Sequence, residues 1–205
     1  MSMSTLLPLI LEHMAIVLIA AAISVVLGVF LGIVSYWVRG LDAVLLSIAE
    51  ALQTIPSLAL LALLMIVFGL GNVPLIAGLV LYSLLPILRN TYTGLRSIPP
   101  EIKDAARGMG MSKLQRLFKV ELPLSFPLIF SGIRIAVVNS LSVAVMGVLI
   151  GAGGLGYPIY RGIQTRNLSR ILSGALPVVM MALVFDLGMT RVERMLSKHN
   201  APSAK

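Results

Sequence analysis

The sequence predicts an all-α membrane protein in which a single domain, residues 1–205, crosses the bilayer five times. Composition is the first reason, because 58% of the residues are hydrophobic, only 12% are charged and the mean hydropathy is +1.00, far from the balance of a soluble domain. The second reason is length, because several apolar runs reach about 20 residues, enough to cross a hydrocarbon core of about 30 Å. The third is that charged residues gather between these runs.

The boundaries of the five spans follow from apolar length and from the residues that end each run. Span one closes with Tyr36, Trp37 and Arg39, an aromatic and cationic boundary typical of a membrane interface. We expect span one to be retained, because it is too long for a signal-peptide core and no basic residue precedes it. Span two contains Pro56, which should bend its helix. The expected spans are about 14–37, 43–68, 73–88, 124–150 and 171–190.

Basic residues beside the spans predict the orientation, because Lys and Arg are retained on the cytoplasmic side. With the N-terminus outside and the C-terminus in the cytoplasm, twelve of the sixteen basic residues are cytoplasmic and three are outside, while Arg134 lies within a span. The segment 89–123, between spans three and four, is therefore expected in the cytoplasm. The cytoplasmic set is Arg39, Arg89, Arg96, Lys103, Arg107, Lys113, Arg116, Lys119, Arg191, Arg194, Lys198 and Lys205, and the outer set is Arg161, Arg166 and Arg170.

The first half of the 89–123 segment predicts a short helix that ends at a glycine. Pro99 and Pro100 suit a helix start, and acidic residues follow in the first turn, where the helix dipole favours them. We expect this helix over about 101–109. Gly110 should then end it in a left-handed conformation.

The second half predicts another short helix, over about 113–121. Ser112 and Gln115 have the spacing of a capping box, and Pro123 should end the helix. By physics alone, the pair of helices equally suits attachment to anionic lipid or docking of a protein. Leu114, Leu117 and Phe118 are expected on one apolar face, with Lys113, Arg116 and Lys119 elsewhere.

Residues 104–123 resemble the EAA loop of type I ABC importer permeases. Asp104-Ala-Ala is followed by three residues, Gly110, nine residues and Val120-Glu-Leu-Pro123, and only Asp104 for Glu and Val120 for Ile depart from the family pattern. In that family the loop docks a cytoplasmic ATPase. The resemblance therefore implies a subunit that is not itself an enzyme, with ATP and Mg bound by the partner. The implied coupling residues are Asp104, Ala105, Ala106, Gly110, Val120, Leu122 and Pro123.

Nearly the whole chain, including residues 53–57, 81–95 and 151–156, resembles permeases of importers for osmoprotectants such as glycine betaine, carnitine and choline. This implies a multi-pass protein of the bacterial cytoplasmic (inner) membrane that forms the pathway for such a solute. The implied partners are an ATPase dimer, a second permease that is a copy or a paralogue, and a separate extracytoplasmic substrate-binding protein. Methionine or another amino acid is the alternative solute.

Polar side chains within the spans are the candidates for the pathway lining. Glu50 would cost about 3 kcal/mol if exposed to lipid near the bilayer centre, so it should face a cavity, a partner helix or the headgroup edge. Two roles are open to it, lining the pathway or pairing with Arg134 or a backbone group, and Asp186 is expected to pair with Arg191. The candidate lining residues are Glu50, Gln53, Thr54, Arg134 and Asn139.

Other functional classes are disfavoured. Residues 151–156 fit G-x-G-x-x-G but follow a membrane helix, so their glycines should serve a turn and tight packing at the outer mouth rather than nucleotide binding. Part of a surface for a binding protein and plain loop flexibility are both open roles for this segment. Without cysteine, and with two histidines near opposite ends, no metal site is expected. The net charge of +8 is explained by orientation in the membrane and contact with membrane lipid, and not by nucleic-acid binding.

Two further alternatives concern transport itself. An ion-coupled secondary transporter is less favoured, because the spans show no repeat and few ionisable residues. A membrane anchor for a cytoplasmic enzyme would need neither the polar second span nor the glycine-rich outer loop. Gly28 and Gly32 on span one have the spacing of a close-packing helix face.

Overall fold

Long apolar runs become helices here because a helix satisfies its backbone polar groups within one segment. The computed structural model describes residues 3–200 and the side chains of residues 4–196, so Lys205 and the side chain of Lys198 lie outside the described residues. Within that range the α-helices are α1 (Met3–Trp37), α2 (Leu41–Thr54), α3 (Ser57–Phe68), α4 (Asn72–Arg96), α5 (Pro100–Gly108), α6 (Lys113–Arg116), α7 (Leu122–Val143), α8 (Gly156–Gln164) and α9 (Leu168–Asn200). A π-helical turn, Leu117–Glu121, precedes α7, and a 3₁₀ helix, Ala144–Ile150, follows it.

The predicted helical membrane class is confirmed, with four long apolar helices and one bent pair in the described part of the chain. The four candidates are Ser4–Trp37, Asn72–Arg96, Lys113–Ile150 and Leu168–Leu196. The pair α2 and α3 makes a fifth when it is counted as one span.

Span two is broken rather than continuous, which corrects the expectation of one helix over 43–68. Helix α2 ends at Thr54, Ile55 is extended with φ −70° and ψ 126°, and α3 leaves at an angle of 99°. Pro56 supplies the reason, since proline lacks an N–H and forces the residue before it out of the helical region. The proline thus interrupts the helix that it was expected only to bend.

The other boundaries differ mainly in length. Helix α4 runs to Arg96 rather than to about residue 88, so the 89–123 segment begins as a continuation of span three. Helix α1 begins well before residue 14, and α9 continues well past residue 190. Helix α8 was not predicted from the sequence and lies within the segment expected to be an outer loop.

The bundle is held together by contacts of α1 with α4, of α4 with α7, and of α7 with α9. Close packing at Gly28 and Gly32 is confirmed. A Cβ at Gly28 would lie 2.7 Å from Ile87 Cγ2, and a Cβ at Gly32 would lie 2.5 Å from Thr91 Cβ. Both distances are shorter than real Cβ contacts allow, so α1 and α4 approach this closely only because these residues have no side chain.

Candidate functional site

The predicted helix, glycine turn and second helix are present between α4 and α7, and we call α5, Gly110 and α6 the loop pair. Gly110 has a φ of +77°, the left-handed conformation that ends α5. The capping box is also formed, because Ser112 Oγ accepts a hydrogen bond from Gln115 N at 3.2 Å and Ser112 N donates to Gln115 Oε1 at 2.9 Å. Local side-chain hydrogen bonds therefore fix the angle at which α6 begins.

The second helix does not end at Pro123, which corrects that expectation. Helix α6 passes into the π-helical turn, where Leu122 N donates to Leu117 O, and then into α7. Pro123 lies at the start of α7, directly after the π-helical turn. The loop pair is thus joined to span four without a break in the helix, and Val120 lies within the π turn.

The expected apolar face of the second helix is also wrong. Leu117 is buried, whereas Leu114 and Phe118 are 58% and 63% exposed. Arg116, expected away from the apolar face, is only 8% exposed. Leu114 and Arg116 lie in α6, before the π turn, so their exposure depends on what packs against the helix and not only on its period.

Helix α5 presents one inner and one outer face. Ala106 is 2% exposed and packs inward, while Asp104 and Ala105 are exposed. Asp104 accepts a hydrogen bond from Arg107 at 2.9 Å, an exposed ion pair within the helix. The outer face therefore combines one small side chain with two charges that are already paired.

Glu50 forms an ion pair with Arg89, and its expected alternative partner, Arg134, is elsewhere. Both side chains of the pair are about half exposed. One turn further along α2, Gln53 Nε2 donates to Tyr82 O at 2.8 Å, so the end of α2 is held against α4. Thr54 Oγ1 donates a hydrogen bond within its own helix, to Ala51 O at 2.7 Å.

Gln53 and Asn139 meet at a polar cavity of about 250 Å³ between α2, α4 and α7. Beneath it, Ser83 Oγ and Ser140 Oγ lie 3.1 Å apart in a buried hydrogen bond. The Tyr82 hydroxyl donates to Ile55 O at the break in span two. The cavity is lined by Gln53, Leu79, Tyr82, Ser83, Asn139, Ser140, Ser142 and Val143, so Glu50, Thr54 and Arg134 are not among its walls.

Arg134 joins α7 to α9. Its Nη1 lies 3.2 Å from Asp186 Oδ1 and 2.8 Å from Thr190 Oγ1, and its Nε lies 3.2 Å from Glu193 Oε2. Positions 186, 190 and 193 share one face of a helix. Arg191 lies on another face, which explains why the expected Asp186–Arg191 pair is not the one formed.

The glycine-rich segment 151–156 has two partners that were not predicted from the sequence, Glu12 and Asn72. Glu12 Oε2 accepts a hydrogen bond from Gly154 N at 3.0 Å, and Asn72 Oδ1 accepts one from Gly153 N at 2.9 Å. A Cβ at Gly153 would lie 1.9 Å from Glu12 Oε1. The glycines thus make room for a carboxylate from α1, as a tight-packing role predicts. An ionisable residue inside an apolar run is the signal that could have indicated Glu12.

Metal binding gains no support from the geometry of the described residues. Within residues 4–196, no group of three or more His, Cys, Asp or Glu side chains is arranged to hold an ion.

Known proteins similar to this chain are permeases. The osmoprotectant import permease protein OsmW of Salmonella typhimurium is 39% identical over 191 residues, covering 91% of this chain and 89% of that protein. The choline transport system permease protein OpuBD of Bacillus subtilis is 46% identical over 173 residues, covering 84% and 76%. The glycine betaine/carnitine/choline transport system permease protein OpuCD of Bacillus subtilis is 42% identical over 187 residues, covering 91% and 82%.

Solved structures share the fold. A structure of the MetNI methionine ABC transporter in an inward-facing conformation matches with a TM-score of 0.84 at 23% identity, covering 96% of this chain and 99% of that chain. An amino acid ABC transporter matches with a TM-score of 0.76 at 19% identity, covering 94% and 96%. The family described as binding-protein-dependent transport system inner membrane component matches residues 24–199. The chain therefore belongs to this family of inner-membrane transport proteins.

Proposed function

We propose that this chain is the permease subunit of an ATP-driven importer for a small osmoprotectant such as glycine betaine, carnitine or choline. Its family supports the transport role. The names of relatives at 39%, 42% and 46% identity support the solute class. The observation that carries the proposal is the loop pair, because residues with the EAA spacing adopt two helices about a left-handed glycine.

In this proposal the N-terminus is outside, the C-terminus and the loop pair are cytoplasmic, and α5 docks into a partner ATPase dimer that binds ATP and Mg. The exposed Ala105 permits close approach to the α5 backbone, and Asp104 adds polar contacts. Gly110 sets the angle between the docked helix and its continuation into span four. Ala106, Val120, Leu122 and Pro123 hold that continuation in place. The coupling is mechanical, since rigid segments at a fixed angle move together.

The solute pathway in this proposal runs along the polar cavity, where two permease subunits face each other. Gln53 and Asn139 are exposed in the single chain, so a second subunit, copy or paralogue, would complete the pathway wall. Six of the eight residues that line the cavity are polar, and none of the eight is charged. A pathway has to bind its solute weakly enough to release it, and selectivity then rests with a separate extracytoplasmic binding protein.

The test is ATP-driven uptake by the complete complex. The permease is purified from its own membranes with the subunits that accompany it and is reconstituted in proteoliposomes with labelled glycine betaine, carnitine, choline or methionine. We expect ATP-dependent accumulation of at least one of the first three, unaffected by a protonophore. Accumulation of methionine alone would replace the solute assignment. Uptake that needs an ion gradient and not ATP would refute the importer.

A further inference from the structure

A buried ion pair closes the loop pair onto the rest of the protein. Arg116 Nε lies 2.6 Å from Glu121 Oε1, and the two side chains are 10% and 0% exposed. The π-helical turn brings them together, because its hydrogen bonds link residues five apart, whereas an α-helix would place these positions on different faces. The π turn therefore positions the two charges to pair.

Two more side chains extend this contact to other helices. The Tyr36 hydroxyl, at the end of α1, donates to Glu121 Oε1 at 3.3 Å. Lys103 of α5 lies over the Tyr36 ring, with Nζ 5.1 Å from the ring centroid, and donates to Leu95 O at 3.0 Å. Burial lowers the pKa of Lys103, and the nearby Glu121 carboxylate opposes that shift. We call Tyr36, Lys103, Arg116 and Glu121 the linking cluster.

The linking cluster suits positioning better than simple stabilisation. Burying charges costs desolvation, so a buried pair adds little net stability compared with apolar side chains of similar size. What such a pair does supply is directional contact at one geometry. Glu121 Oε1 accepts hydrogen bonds from both Arg116 Nε and the Tyr36 hydroxyl. Glu121 Oε2 is buried with no hydrogen-bond partner in the described structure. One oxygen atom therefore connects the π turn to α1.

We infer that Glu121 is a positioning residue for energy coupling, which makes the loop pair and the end of α1 move as one body. The inference rests on the proposed docking of the loop pair to an ATPase. When α5 moves with the ATPase, Lys103 and Glu121 carry the displacement to Tyr36 and so to α1. Helix α1 packs along α4 at Gly28 and Gly32, so the movement reaches the helix that lines the polar cavity.

The functional test measures solute taken up per ATP hydrolysed by the complete complex in proteoliposomes. Tyr36→Phe removes the hydroxyl contact with Glu121 and leaves both the ion pair and the ring under Lys103. Glu121→Gln removes the carboxylate charge to which Arg116 and Tyr36 bind. Tyr92→Phe is the matched control. The Tyr92 hydroxyl donates to Asp42 Oδ2 at 2.6 Å, and neither residue belongs to the linking cluster. We expect both cluster variants to lower the uptake per ATP hydrolysed about fivefold or more, while the ATPase co-purifies as usual. Tyr92→Phe should leave the uptake per ATP unchanged.

Three results would overturn the inference: an unchanged ratio in both cluster variants, an equal fall in Tyr92→Phe, or uptake and hydrolysis that fall together with the amount of assembled complex. If the complex with Glu121→Gln does not assemble, the uptake per ATP of the Tyr36→Phe complex alone tests the inference.

A second measurement does not depend on transport. The chain has no cysteine, so spin labels at Val38→Cys and Glu101→Cys report the distance between the end of α1 and α5 in the permease. We expect a narrow distribution that broadens with Tyr36→Phe and with Glu121→Gln. Absence of uptake by the unmodified complex would count against the proposed function, whereas an unbroadened distribution would count against the linkage.

Discussion

The conformation of Gly110 makes the loop pair sensitive to a single side chain. Its φ of +77° is left-handed, a region that costs an L-residue about 1–2 kcal/mol. A Cβ at this position would meet no other atom within 4 Å, so the cost of a substitution is backbone strain and not a clash. Gly110→Val should therefore lower the population of the observed turn about 5–30-fold, while the packing of the helix bundle is unchanged.

The assay compares Gly110→Val with Gly110→Asn, because Asn adopts the left-handed conformation more readily. In the complete complex we expect the Val variant to lose most ATPase co-purification and ATP-driven uptake, and the Asn variant to retain most of both. Both permeases should unfold at the same temperature in detergent. Normal uptake by the Val variant would refute the reasoning. An equal loss in both variants would show that the loop requires the absence of a side chain at residue 110 rather than a left-handed φ.

Two further predictions concern packing and the glycine-rich segment. Gly32→Ala should cost about 1–3 kcal/mol, because its methyl group would lie 2.5 Å from Thr91 Cβ; thermal unfolding should show this loss and should show none for Gly188→Ala, where nothing lies within 4 Å. Gly153→Ala should displace Glu12 and cost about 1–3 kcal/mol in lost hydrogen bonds. In a Glu12→Ala background, Gly153→Ala should lower the stability much less. If the stability losses of the two substitutions simply add, the contact between Gly153 and Glu12 is contradicted.

Features that depend on neighbours in the chain were predictable from the residues alone. The Ser112 and Gln115 spacing predicted the capping box that the structure contains, and Gly110 was expected in the left-handed conformation that it adopts. These interactions close over a few residues, so they form in almost any tertiary context. The long apolar runs likewise required membrane helices.

Side-chain partners could not be predicted in the same way. Glu50 pairs with Arg89 and Arg134 pairs with Asp186, although the residues allowed Glu50–Arg134 and Asp186–Arg191 equally well. Which charges meet depends on the rotation and depth of each helix in the bundle, and those follow from packing rather than from composition. The π turn, which brings Glu121 to Arg116, was also invisible to a pattern based on the α-helical period.

By itself, then, the sequence determined that the chain is a helical membrane protein, and it determined the local shape of the loop pair, because apolar length and short-range hydrogen bonds act within one segment. Only the tertiary structure decided what the loop pair is attached to. Glu121 reaches Tyr36 across 85 positions, and Glu12 reaches Gly154 across 142. Contacts at that separation exist only after the helices have packed, when close approach at residues such as Gly32 sets which side chains meet.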